Sequence, residues 1–189
     1  MKFVIAMVLG LLMVPGIAAS ATPVAPLPGD SVYQLPLPLT DQHGKHWDWS
    51  SRRGQPQLVA VFCSSCRYIC PLIVDSGKAV DHALTPAQRA GLGVMFISMD
   101  ARRDTPAALM RVATERNVDP RWSLGTPQAE DVRSVAGLLG IKYRELEGGD
   151  FNHTSALILL DADGRIVART EKMGTQLDPA FLAAVRKLL

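Results

Sequence analysis

The sequence predicts an α/β protein with a mixed central sheet flanked by helices, and three observations carry that prediction. Two largely apolar runs of strand length, the continuous Leu58 to Phe62 and Val94 to Met99 with its single Ser98, are each followed by a helix-opening proline. Runs of this kind suit strands buried on both faces. A third apolar run, Ser155 to Leu160, ends in Asp161-Ala162-Asp163-Gly164, a turn that sends the chain back as an antiparallel strand. A length of 189 residues fits one domain.

The elements follow in order. Phe3 to Val14 is an apolar run of about 12 residues behind a single Lys2, closed by Pro15-Gly16. Ala19-Ser20-Ala21 then supplies the small-x-small pattern of a signal-peptidase site, so residues 1–21 read as a cleavable signal peptide. The run is short of the ~20 residues that span a bilayer as a helix, and an uncleaved anchor is the alternative. Nothing comparable recurs, so the mature chain is expected to be a periplasmic or secreted protein with no membrane span. Residues 22–36 are a proline-rich lead-in, expected to be extended. The domain proper is expected over 37–189. It opens with a hairpin, Leu39 to Trp47, turning at His43-Gly44. After strand 58–62, Pro71 sits in the first turn of a helix to about Leu84. After strand 94–99, Asp104-Thr105-Pro106 opens a helix to about Arg116. A third helix covers Ala129 to Leu139 and is closed by Gly140. The final hairpin returns through Ile166 to Arg169, and Asp178-Pro179 caps a helix to the C-terminus.

Composition narrows the function. Twenty basic residues against eighteen acidic give a net charge of +2, too little for a field that grips nucleic acid. An aromatic content of 6% argues against a base-stacking surface, so no nucleic-acid partner is expected.

The three cysteines, Cys63, Cys66 and Cys70, fall within eight residues. A disulfide closing so small a loop stabilises little, so the cluster suits chemistry better than stapling. It lies where the first buried strand gives way to a helix, a place where sites form in α/β sheets. Cys70 stands at the helix start, whose dipole and unpaired amides favour a thiolate. The Cys66–Cys70 spacing brings both sulfurs to one side, where they can form a disulfide or grip a soft metal such as Cu(I) or zinc. Among the histidines, His43 and His46 flank a polar turn, and His82 stands some 18 Å of helix rise from Cys70. His153 enters a central strand from a loop, which by spacing alone reads as a turn residue or as a ligand.

Cys66-Arg67-Tyr68-Ile69-Cys70-Pro71 resembles the CxxxCP motif of the Sco (SenC) copper proteins. Phe96 to Pro106 resembles the family's FISxDPxRDTP segment, Trp122 to Pro127 its LTG-type segment, and His153-Thr154-Ser155 with Leu159 to Gly164 its HSxxxYLxDxxG segment. The four lie in the family's order from about Leu37 onward. The resemblance implies a thioredoxin-like fold with an N-terminal β-hairpin extension. It implies one copper ion, Cu(I) or Cu(II), held by Cys66, Cys70 and His153. The partner it implies is a copper-acceptor protein, a cytochrome c oxidase subunit or another periplasmic copper or thiol protein. Two functions stay open: a metallochaperone, or a thiol–disulfide oxidoreductase using Cys66 and Cys70 as a redox-active pair. The chain departs from the family at Arg67, Tyr68 and Ala101, and at Cys63, which stands where the family carries an aromatic residue. Cys63 is a buried filler, a competing disulfide partner or a spare ligand, according to where its side chain points.

Overall fold

The computed structural model describes residues 25–66 and 69–189. The expected signal peptide at 1–21, the start of the lead-in, and Arg67 and Tyr68 lie outside the described residues. The lead-in is not extended throughout. Ser31, whose hydroxyl accepts from the Tyr33 amide, starts a 3-10 turn at Val32–Gln34 that buries Val32 and Tyr33. That turn seats on the far hairpin: the Val32 amide donates to the Gly164 carbonyl at 2.9 Å, and the Tyr33 ring packs over Gly164. Gly164 has φ +82°, and a Cβ there would stand 2.5 Å from the ring.

Strands β1 (Pro38–Asp41) and β2 (His46–Asp48) form the expected first hairpin. A 3-10 turn at Trp49–Arg52, capped by Asp48, leads to β3 (Gln57–Phe62), where every residue is buried. Helix α1 (Ile69–His82) and a short α2 (Pro86–Gly91) precede β4 (Gly93–Ser98). Sequence reasoning missed α2, although Thr85 and Gln88 close a capping box around Pro86. Helix α3 (Pro106–Glu115) starts at the Thr105 cap, as expected, and leads to β5 (Ser123–Pro127). The expected helix 129–139 is a 3-10 turn at Ala129–Asp131 followed by α4 (Val132–Leu138). Gly140, at φ +65°, then lets the Ile141 amide reach back to the Ala136 carbonyl at 2.7 Å. A small hairpin, β6 (Tyr143–Glu145) and β7 (Phe151–His153), comes before β8 (Leu157–Leu160), β9 (Ile166–Thr170) and α5 (Pro179–Leu188).

The sheet runs β2-β1-β5-β4-β3-β8-β9, mixed as predicted. Strands β5, β4 and β3 are parallel, while β8, β9, β1 and β2 join antiparallel. The first hairpin therefore extends the main sheet, with β1 pairing with β5. Two crossovers place the chain's loops at the carboxyl ends of β3 and β4, and a tightly packed aromatic group lies beneath them. Phe96 stacks at a tilt on Trp122, ring centres 5.2 Å apart, and Gly77 of α1 lies against both rings. Buried Asp81, also on α1, takes both Arg89 and Arg121 at 2.8–2.9 Å, which ties α1 to α2 and to the turn before β5. Among the described residues, no helix is long and apolar enough to cross a membrane.

Candidate metal centre

The end of β3 and the first turn of α1 face each other across a short loop, and the three cysteines lie on the loop and that first turn. Cys63 follows the last residue of β3, and its side chain is 1% exposed. Its sulfur is turned to helix α1 at the edge of the core: Cys63 Sγ lies 3.5 Å from Cys70 Sγ, and the Cys63 amide donates to that sulfur at 3.2 Å. Cys70 is inside the first turn of α1 and 3% exposed, while Cys66 is half-buried. The three sulfurs lie within 4.8 Å of one another.

His153 reaches this group from 83 residues away. It is not in a loop but ends β7, 8% exposed, with Nε2 at 3.6 Å from Cys70 Sγ. Its Nδ1 lies 3.1 Å from the Thr154 carbonyl oxygen. A carbonyl can only accept, so in the neutral ring Nδ1 carries the proton and Nε2 presents a lone pair toward Cys70 Sγ. A second partner that fixes the tautomer in this way is what an imidazole ligand needs.

Electrostatics within the cysteine group differ from the sequence expectation. The helix start and the Cys63 amide favour a thiolate on Cys70, but its neighbour and burial act against them more strongly. A hydrogen bond shared with Cys63, then desolvation, pushes Cys70 far above the ordinary thiol range. The hydrogen bond from Cys70 correspondingly holds Cys63 below that range. In the reduced group the first proton to leave is thus shared out of the Cys63–Cys70 pair, and the second is held.

A hydrogen-bonded frame fixes the cysteine loop and the histidine hairpin relative to each other, and it comes from the segment after β4. Asp104 is buried and accepts the Ser64 amide at 3.0 Å, the Ser64 hydroxyl and the Ser98 hydroxyl. Burial is the largest influence on its carboxyl and raises its pKa above the usual aspartate value, outweighing those donors. Asp100 pairs with Arg103, whose guanidinium continues to Asp150 at 3.1 Å and to the Gly149 carbonyl. The frame thus runs from the loop through residues 98–104 to the turn of the β6–β7 hairpin. Asp104, expected from sequence only to help open a helix, and Arg103, present there only within a motif, hold this frame together. Their roles depend on partners 40 or more residues away.

A cleft of about 240 Å³ opens over the cysteines, lined by Cys63, Cys66, Cys70, Pro71, Glu115 and Arg116. Cys66 is the sulfur that an incoming group meets first. Chemically, the arrangement can exchange disulfides or bind one thiophilic ion through sulfur and imidazole.

Comparison with known proteins gives the family and the fold. Residues 27–189 match the SCO1/SenC family. An SCO2-like protein of Rickettsia typhi is 26% identical over 184 residues, covering 88% of each chain. ScoI of Bradyrhizobium japonicum, solved with copper bound, superposes with a TM-score of 0.69 at 26% identity, over 82% of this chain and 98% of that one. BsSco, described as a member of the Sco family of cytochrome c oxidase assembly proteins with a disulfide switch, superposes with a TM-score of 0.69. At 20% identity, over 82% of this chain and 91% of that one, BsSco bears on the fold alone.

Proposed function

This chain belongs to the SCO1/SenC family, and from that membership together with its sulfur–imidazole site we propose that it is a periplasmic copper-binding metallochaperone. Cys66, Cys70 and His153 hold the ion, and the acceptor is a cytochrome c oxidase subunit or another periplasmic copper or thiol protein. The observation that carries the reading is the His153 Nε2 lone pair facing Cys70 Sγ at 3.6 Å. Disulfide exchange has no need of a buried imidazole with a fixed tautomer, whereas a metal ligand does. Sulfur and imidazole together suit copper in both of its common oxidation states. The copper-bound ScoI of Bradyrhizobium japonicum supports the choice of metal.

Export through the signal peptide at 1–21 brings the thiols to a compartment where pairs of thiols tend to oxidise. Half-buried Cys66 faces the cleft, so an acceptor thiol entering there displaces Cys66 before it reaches the deeper ligands. A second reading, a thiol–disulfide oxidoreductase acting on periplasmic protein cysteines, is favoured by the same half-buried Cys66 backed by a close sulfur pair.

An anaerobic Cu(I) titration of the fully reduced protein against a competing chelator separates the two. One equivalent retained against the competitor is the expected result. Copper lost entirely to the competitor would overturn the metallochaperone reading and leave the dithiol one.

A further inference from the structure

Resting on the copper reading above, we propose that Cys63 is an additional sulfur ligand, so that copper is held by three thiolates and His153 in a centre selective for Cu(I). The proposal stands on where the sulfurs are. Cys63 and Cys70 stand 3.5 Å apart, and both lie within 4.8 Å of Cys66. Metal–thiolate bonds of about 2.3 Å put sulfurs roughly 3.8–4.0 Å apart around a tetrahedral or trigonal ion. The triangle therefore has the size of a three-sulfur cage around one ion.

The position of each sulfur fits such a cage. Cys63 closes it from the buried side, next to the end of β3, while Cys66 closes it from the cleft. Cys70 meets His153, whose Nε2 stands 3.6 Å from its sulfur, outside the three-sulfur group itself. Cys63 is buried with the core residues, yet a filler would turn only to carbon. Its sulfur is turned to another sulfur, and its amide donates to Cys70 Sγ at 3.2 Å, a bond that stabilises a thiolate there.

A third soft donor changes the preference of the site. Thiolates select Cu(I), whereas Cu(II) favours tetragonal nitrogen and oxygen ligands. With Cys63 bound, the protein holds the reduced ion more tightly relative to the oxidised one than a two-sulfur site would. The same four donors also suit zinc, so the decisive experiment loads the protein with Cu(I) alone.

Copper K-edge X-ray absorption on the Cu(I)-loaded protein counts the sulfur scatterers, and chelator competition gives the affinity. The wild type is expected to show three sulfurs and one nitrogen per copper. Cys63→Ser is expected to show two sulfurs and one nitrogen, the same stoichiometry, and at least a tenfold weaker affinity. Two sulfurs in the wild type, with an unchanged affinity in Cys63→Ser, would overturn the role of Cys63 and leave the copper reading intact. No competitor-resistant copper in the wild type would instead defeat the copper reading, and this proposal with it. Should Cys63→Ser fail to fold by circular dichroism, the wild-type sulfur count still decides.

Discussion

Substituting Gly77 by alanine tests whether the seat of α1, and with it the position of Cys70, depends on close contact with the aromatic core. A Cβ built at Gly77 stands 2.7 Å from Phe96 Cζ and 3.0 Å from Trp122 Cη2. The first distance falls short of a van der Waals contact by about 1 Å. Neither ring can easily move, because Phe96 and Trp122 pack on each other with centres 5.2 Å apart and Phe62 lies 6.2 Å from Phe96. Two opposed effects set the sign. Alanine in a helix interior gains about 0.5–1 kcal/mol over glycine. An extra methyl forced into a packed core costs about 1–3 kcal/mol, and rings this confined put the cost in the upper part of that range. The net expectation for Gly77→Ala is a loss of about 1–2 kcal/mol, or a Tm lower by roughly 3–6 °C. Urea denaturation followed by tryptophan fluorescence and by circular dichroism measures it. A variant as stable as the wild type, or more stable, would refute the reasoning, because helix propensity would then outweigh the contact.

Three further predictions concern the site. His153→Ala should weaken Cu(I) binding about tenfold, ~1.4 kcal/mol, in the same competition titration, while Cys66 and Cys70 still oxidise to a disulfide; unchanged affinity would remove His153 from the ligand set. Asp104→Asn should alter the pH dependence of stability. Since burial raises the Asp104 carboxyl, its contribution is complete below the ordinary aspartate value near ~4 and is lost as pH rises through the raised value. Urea unfolding across that window should therefore show the wild type losing stability relative to Asp104→Asn as pH increases; parallel profiles would contradict it. Arg103→Ala removes the links to Asp150 and Gly149. Its guanidinium is partly exposed, so the global loss should stay near ~1 kcal/mol, with faster amide exchange concentrated in β6 and β7. Equal protection there would mean that the hairpin holds itself.

Much of the fold was legible because its signals are local. The runs at 58–62 and 94–99 are almost wholly apolar and carry Val, Ile and Phe, so they announce buried strands wherever they fall. Thr105-Pro106 and Asp178-Pro179 carry their caps in adjacent residues, and both helices start there. Apart from the short α2, whose capping box is local, the misses were segments whose state is imposed from outside. Strand β5 contains Gly125 and ends at Pro127, a poor strand by propensity, and it is one because β1 and β4 pair with its two edges. β6 and β7 have three residues each, too few for any periodicity to register.

The site divides along the same line. Spacing alone places Cys66 and Cys70 within reach of each other, since four positions along a chain entering a helix bring two side chains to one side. The sequence motifs also carry the family resemblance and the copper chemistry it implies. No local rule orients Cys63, which stands one residue past the end of a strand, where the alternation of faces no longer holds. Its direction is decided by the loop that Asp104 grips through Ser64. Nor does local sequence bring His153 to Cys70, fix its proton on Nδ1, or link its hairpin to the cysteine loop through Arg103. Those features join residues tens of positions apart, and only the pairing of β8 with β3 and the packing around the ends of β3 and β4 bring them together.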